Sequence, residues 1–244
     1  MKPFNISIRY AFILATVALV CTSFSVGIYW LTKDKIDNVI AQQQRKFLNE
    51  VIPHKIMDND ILATCKKIQL ADYPFLNKIY FAKKRNKVTA YAIQSTAPNG
   101  YAGDIVLLEG FQLDRLEKSV KVLGVRVLTH NETPGLGDKI DIRVSDWIRS
   151  FNGKKLGLNE IMENKYGGRH DQLTGATLTA YRLENNEKQW FVKKDGGTFD
   201  QFTGATVTPR AVVNNVRESA KWFITTLMSQ PKLVKTFPDC NEEQ

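Results

Sequence analysis

Residues 11–32 read AFILATVALVCTSFSVGIYWLT, and this stretch divides the 244-residue chain into an anchor and the domain that follows it. None of its 22 positions is charged and 16 are apolar. At about 1.5 Å of helical rise per residue it covers about 33 Å, the thickness of a bilayer's hydrocarbon core. Tyr29 and Trp30 close it, where amphipathic rings favour the headgroup layer. A cleaved leader is the competing reading. Its apolar region would be shorter and a small-x-small cleavage site should follow, for which Thr22, Ser23 and Ser25 offer only a weak match. The expectation is an uncleaved transmembrane anchor. Lys2 and Arg9 precede it while Lys33, Lys35, Arg45 and Lys46 follow, so the basic residues do not fix the orientation. A short N-terminal arm (1–10) inside and a large domain outside is the commoner arrangement.

Composition narrows the rest. With 43% hydrophobic and 24% charged residues the chain has globular rather than disordered character. Three cysteines are too few for a disulfide-dense scaffold or a conventional zinc site, and His54, His130 and His170 show no ligand spacing. The net charge of +9 invites a nucleic-acid reading. Its densest run, Lys83-Lys84-Arg85-Asn86-Lys87, lacks interleaved aromatic residues and reads as a solvated turn, so no nucleic-acid partner is expected.

Beyond the span, Ile36, Val39, Ile40, Phe47 and Leu48 recur at helical spacing and suggest a helical stalk over 33–52, ended by Pro53. Residues 79–95 suggest a hairpin around the basic turn. Ile105 to Phe111 and Val120 to Leu128 read as strands, with a Gly-rich loop after the second. Ser145 could cap a short helix through Phe151, and Trp190 to Val192 reads as a further short strand. Thr208-Pro209, a hydroxyl cap with proline in the first turn, should start a helix that runs to about Ser229, where Pro231 closes it. Strands mixed with segregated helices point to an α+β domain over 53–230, with a tail at 231–244.

A near-repeat is the most informative feature. Gly167 to Thr179 aligns with Gly196 to Thr208 at an offset of 29, with nine of thirteen positions identical. Both copies carry Asp-Gln-x-Thr-Gly-Ala-Thr. No lysine follows the glycine, so this is not a phosphate-cradling Walker loop, and it lacks the Gly-x-Ser-x-Gly elbow of a serine hydrolase. Small residues around a hydroxyl suit an acceptor that a second enzyme must reach. The helix start after the second copy offers N–H groups and a dipole to an attached phosphodiester. The competing reading is a repeated capping turn.

The run from Asp200 through Thr203, Gly204, Ala205 and Thr206 to Pro209-Arg210-Ala211-Val212-Val213 resembles the flavinylation motif of FMN-binding domain proteins. Gly100-Tyr101-Ala102-Gly103-Asp104-Ile105 and the run from His130 to Lys139 resemble the same family. With one N-terminal span, the whole resembles the G subunits of the Rnf/Rsx electron transport complex; the C subunits of the sodium-translocating NADH:quinone reductase are the nearest competing family. The resemblance implies FMN joined covalently through its phosphate to Thr206, placed there by a flavin transferase that Asp200 could help to engage. It also implies a ring-site wall made by Glu132, Thr133, Gly135, Leu136 and Gly137. It implies an electron carrier rather than a stand-alone catalyst, working with other subunits of a complex that couples electron transfer to ion movement. The location it implies is a bacterial inner membrane, crossed once, with the main domain on the periplasmic side. The span holds no ionisable residue, so any ion path belongs to partners.

The extra copy departs from the family pattern and makes Thr177 the alternative acceptor, although Thr206 alone has the Thr-Pro-Arg-Ala-Val-Val continuation. Cys65 and Cys240, the two cysteines outside the span, would form a disulfide on an oxidising side or remain buried thiols. The contrasting reading is a membrane-tethered binding or assembly module without flavin.

Overall fold

The structure, a computed structural model, describes residues 3–160, 181–183 and 189–240. The chain forms two units, Met1–Gln44 and Arg45–Gln244.

Helix α1 (Pro3–Val51) begins in the first unit and ends in the second. An 18-residue window within it reaches a mean hydropathy of 2.2, so it is long and apolar enough to cross a membrane. Its large apolar residues, among them Phe12, Leu14, Phe24 and Leu31, point outward. Hydroxyls on this stretch bond back to the helix: Thr16 to Phe12 C=O (2.9 Å), Thr22 to Ala18 C=O (2.7 Å), Ser25 to Cys21 C=O (3.0 Å) and Thr32 to Ile28 C=O (2.9 Å). These four hydroxyls are thereby satisfied without water, as a lipid environment requires.

The second unit is built on an antiparallel sheet whose spatial order follows the chain: β1 (Lys66–Lys67), β2 (Leu76–Lys84), β3 (Lys87–Gly100), β4 (Gly103–Asp114), β5 (Ser119–Thr129), β6 (Lys155–Glu160) and β7 (Tyr181–Leu183). Consecutive strands can pair this way because each of the tight turns from β2 to β5 is short. Between β2 and β3 the turn residues Arg85 and Asn86 both adopt positive φ (49° and 61°), which suits the twist of a two-residue hairpin. The basic run is thus divided between two strand ends and their turn. The hairpin expected over 79–95 is longer, because β3 extends to Gly100.

Side chains alternate across β4. Ile105, Leu107 and Phe111 face the principal core, where helix α2 (Val207–Ser229) contributes Val212, Val213, Val216, Ala220 and Phe223. Leu108 faces the opposite side, in a second cluster with Leu48, Val51, Ile52, Tyr80, Ala90 and Ala92. Gly110 and Gly124 pair across β4 and β5 and leave a notch for the end of α1. A Cβ on Gly124 would lie 3.1 Å from Val51 Cα, and one on Gly110 would strike the Val51 carbonyl. Arg126 Nε donates to Glu50 Oε2 (2.7 Å) beside that notch.

Three expectations change. The segment read as a stalk ends inside the folded unit, since Leu48, Val51 and Ile52 are buried against the sheet. Residues 231–240 of the expected tail are likewise part of the domain: α3 (Leu233–Thr236) buries Val234, Phe237 joins the main core, and Lys67 N–H donates to Pro238 C=O (2.9 Å). Residues 190–192 form no strand of the sheet; a single bridge links Val192 to Phe199 while Trp190 packs into the core. Ser145 does cap the turn after it, its Oγ accepting from Trp147 N–H (3.3 Å) at a 3-10 helix (Asp146–Phe151).

Candidate functional site

The second Thr-Gly-Ala-Thr copy is a tight turn laid on an aromatic floor. Phe199 and Phe202 are buried; Phe199 packs on Phe151 (ring centroids 4.4 Å apart) and Phe202 against Trp147 edge to face (5.2 Å). Trp147 Nε1 donates to Asp200 C=O (2.8 Å), which fixes the entry to the turn. Ala205 N–H donates to Phe202 C=O (3.1 Å), and Gly204 takes φ +78°, a conformation that disfavours a side chain. Thr203 and Gly204 are exposed, Ala205 and Thr206 half-buried.

Thr206 is the N-cap residue of α2, and its hydroxyl makes no capping bond. The first helical bond runs from Arg210 N–H to Thr206 C=O (3.2 Å), so the N–H groups of Val207 and Thr208 precede the ladder and Pro209 has none to offer. The expectation that Thr208 caps the helix is not met. Its hydroxyl, fully buried, donates instead to Glu132 Oε2 (2.7 Å), from 76 residues earlier in the chain.

Glu132 organises three segments. Its other oxygen, Oε1, accepts from Ala102 N–H (3.2 Å) in the turn between β3 and β4. Its own N–H donates to His130 Nδ1 (3.2 Å), which leaves the His130 proton on Nε2, 3.6 Å from Asp141 Oδ2. Burial would raise Asp141, but hydrogen bonds and charge from Arg143, with His130 nearby, hold its carboxyl below the usual range. Gly137 sits where a Cβ would collide with Glu132 and come within 2.9 Å of Thr208 Oγ1. Gly100 is constrained likewise, 2.8 Å from Glu132 Oε1 by the same measure. Glu132 is therefore turned inward, clamping two loops to the start of α2.

On the outer side of that clamp, Thr133, Gly135 and Leu136 are exposed; Gly135 has φ +79°, and Leu136 Cδ2 is the atom nearest a Cβ built on Gly204 (3.9 Å). The Gly-rich loop and the Thr-Gly-Ala-Thr turn are thus neighbours. Leu136 and Val207, each more than two-fifths exposed, are apolar surfaces near Thr206. From Val207 a pocket of about 300 Å³ extends along α2, lined by Phe75, Pro98 and Ala211, the amides of Asn99, Asn214 and Asn215, and the charged side chains of Arg210 and Glu218. Two ion pairs flank the region, Lys193 with Asp200 and Arg210 with Asp195 (2.6 Å).

These residues fit a flavin mononucleotide. The Thr206 hydroxyl, which makes no capping bond, sits at a helix N-terminus beside two N–H groups suited to a phosphate. Apolar walls with three amides, and with Arg210 and Glu218 as charged hydrogen-bonding groups, suit a planar heterocycle with a polar edge. Asp138 Oδ1, buried and without a partner among the described residues, is an acceptor in the adjoining loop. The first copy, with Thr177 and His170, lies outside the described residues. Cys65 and Cys240 are joined as a disulfide with Cα atoms 5.5 Å apart.

Sequence reasoning passed over one group. Glu109, on β4 within the run Ile105 to Phe111, is fully buried against α2. Ser95 Oγ donates to its Oε1 (2.8 Å), and Asn215 Nδ2 donates to both Ser95 Oγ (2.6 Å) and Oε1 (3.1 Å). Burial raises its pKa to about 8, opposed by the hydrogen bonds of Ser95, Ser219 and Asn215. The available signal was a lone carboxylate at an inward position of an apolar strand.

Comparison with known proteins gives two family matches. Residues 1–51 match the RnfG N-terminal region, and the FMN-binding domain is matched twice, by residues 100–191 and 181–221. The first of those segments contains the Thr177 copy and the second the Thr206 copy. Proteins named as the G subunit of an ion-translocating oxidoreductase complex are similar over most of their length. That of Haemophilus influenzae strain PittEE is 46% identical over 192 residues, covering 78% of this chain and 90% of the relative. Those of Pasteurella multocida (44% identical; 78% and 94% covered) and Buchnera aphidicola (37%; 75% and 85%) behave alike.

Proposed function

The chain belongs to the family of G subunits of ion-translocating oxidoreductase complexes, and from that premise we propose that it is their membrane-anchored flavoprotein, carrying FMN as a phosphoester on Thr206 and relaying electrons between partner subunits. The observation that carries the attachment site is the Thr206 hydroxyl at the N-cap of α2, which makes no capping bond and lies two residues beyond the left-handed Gly204.

FMN supplies the electron-carrying chemistry when bound. The chain's residues do the rest. Thr206 Oγ1 would hold the phosphate, and the N–H groups of Val207 and Thr208 would meet its charge at the positive end of the helix dipole. Thr203 and Gly204 stay exposed, so a flavin transferase can reach the acceptor, with Asp200 at the entry to the turn. Leu136 and Val207 offer apolar contact to the ring, and the loop from Thr133 to Gly137 bounds it on one side. Glu132 holds that loop in register with the helix and keeps Thr206 in place through Thr208. Covalent attachment removes the translational cost of retaining the carrier.

The Cys65–Cys240 disulfide supports a domain on the oxidising, periplasmic side of a bacterial inner membrane, with partners that are the other subunits of the complex. Full-length protein co-expressed with a flavin transferase tests the reading by intact mass and in-gel fluorescence. We expect a gain of one FMN less one water, lost in Thr206→Ala and kept in Thr177→Ala. The reverse pattern would move the site to the first copy. An unmodified mass in native-host material would leave only the flavin-free assembly module.

A further inference from the structure

Glu109 is a carboxyl with no cation paired to it among the described residues. It lies on the face of β4 that meets α2, beneath the wall formed by Asn215, which also lines the pocket that begins at Val207. Oε1 takes bonds from Ser95 and Asn215, while Oε2 is buried with no partner among the described residues. Ser219, also buried and unpartnered by the same measure, is the hydroxyl on α2 that faces the carboxyl.

Among the described residues, the groups packed around it are neutral. Across the sheet Glu109 pairs with Ile93 on β3 and Val125 on β5; α2 presents Asn215 and Ser219. The charges on those elements lie elsewhere: Lys87 and Lys121 are exposed, Arg126 pairs with Glu50 on the other face of the sheet, Arg210 pairs with Asp195, and Glu218 pairs with Arg217 and Lys221. Arg210 and Glu218 are themselves part of the pocket lining. Tyr91 on β3 is stacked edge-on against Phe223, and no charge contributes to the shift at Glu109. An ionised carboxylate in such a setting would be costly, and the hydroxyls of Ser95 and Ser219 and the amide of Asn215 offset only part of that cost.

We propose that Glu109 is a redox-tuning residue: as a neutral acid it keeps the wall behind the Val207–Asn215 pocket uncharged, and when ionised it sets a negative charge against an electron arriving on a flavin held at Thr206. The inference rests on the flavoprotein reading above. Linkage makes the effect reciprocal, because the arriving electron strengthens the acid's hold on its proton. Where Glu109 is ionised in the oxidised protein, one electron entering from the donor subunit is accompanied by uptake of up to one proton from solvent onto its carboxylate. No bond forms between Glu109 and the flavin.

Two measurements on the full chain in detergent test it. In protein made without flavin transferase, isotope-edited infrared spectroscopy should show a carboxyl that titrates at about pH 8 and is missing from Glu109→Gln. Titration in the ordinary carboxylate range would overturn the proposal whatever the flavin does. In flavinylated protein, verified by mass, the midpoint potential should fall more steeply with pH above 8 in wild type than in Glu109→Gln. Identical pH profiles would overturn it as well. Should Glu109→Gln fail to fold, Ser219→Ala serves: losing that hydroxyl should move the titration upward, and an unmoved titration refutes the role.

Discussion

Reduction of the Cys65–Cys240 disulfide should cost this domain a large share of its stability. The two residues are 175 apart in sequence, so the cross-link closes nearly the whole second unit into one loop. In the chain-entropy model a loop of that length raises stability by about 5 kcal/mol at 25 °C, and native disulfides deliver about 2–5 kcal/mol in practice. The native state does not need the bond to position the C-terminus. Cys240 N–H donates to Cys65 C=O (3.1 Å), Lys66 Nζ donates to Phe237 C=O (2.9 Å), and Phe237 is buried in the core. The loss therefore falls on the unfolded ensemble, and the reduced domain should fold the same way at a lower melting temperature. For a unit of this size each kcal/mol is about 2–4 °C, so the expected drop is about 5–20 °C. Near-ultraviolet circular dichroism of the full chain reads the transition through Trp190 and Trp222, both in the core. Alkylation in denaturant should label one cysteine, Cys21, before reduction and three after it. Three labels without reductant, or a melting temperature indifferent to reductant, would refute both the cross-link and the argument from it to an oxidising compartment.

The remaining expectations concern single residues. Glu109 keeps a proton in the folded state up to about pH 8, whereas unfolded it releases one near 4.5; stability should fall through that window by about 1.4 kcal/mol per pH unit, about 5 kcal/mol at most. Glu109→Gln should flatten that slope in denaturant titrations from pH 5 to 8, and an unchanged slope would discard the buried neutral acid. Glu132→Ala strands the buried Thr208 hydroxyl and the Ala102 N–H, for an expected loss of about 2–4 kcal/mol in urea unfolding and a weaker flavin band, with Glu132→Gln milder in both. Gly124→Val would push a side chain into the Val51 backbone and should lower stability by about 1–3 kcal/mol; an unchanged melting curve would deny that α1 ends in that notch.

What the sequence made legible was whatever repeats along the chain or is chemically local. The apolar span, the apolar strand runs at 105–111 and 120–128 and the extent of α2 all follow from periodicity and composition, and their bounds came within a few residues. Local signals failed where a distant residue competes for the same atom. Thr208-Pro209 has the form of a cap and first turn, yet Glu132 takes the hydroxyl and Thr206 becomes the boundary residue. The stalk pattern continued correctly as helix, but nothing nearby in sequence reveals the Gly110–Gly124 notch that buries its end. Trp190 to Val192 has the composition of a strand, but Trp190 is drawn into the aromatic group around Phe151 and Phe199. Glu109 was hidden by its surroundings, because a strand reading attends to the apolar alternation and passes over the one position that breaks it.

The same competition explains why one copy of a duplicated motif can be privileged. Thirteen residues with nine identities cannot by themselves tell a transferase which threonine to modify. The two copies part ways just after the turn. Beyond Thr206 the chain enters α2, whose first turn is pinned through Thr208 to Glu132 and whose later turns bury Val212, Val213 and Val216. One carboxylate thereby ties helix α2 to the turn at Ala102 and to the Gly-rich loop, so the Thr206 hydroxyl, the helix N-terminus and Leu136 come together as a set. Thr177 leads instead toward Ala180-Tyr181-Arg182-Leu183, and Tyr181–Leu183 is the β7 strand paired with β6 rather than the opening of a helix. Val207, directly after Thr206, opens a helix whose N-terminus suits a phosphodiester, and this favours Thr206. If mass spectrometry of peptides from the native protein finds flavin on Thr177 as readily as on Thr206, then the seven-residue motif suffices by itself, and the Glu132 clamp serves the fold without selecting the acceptor.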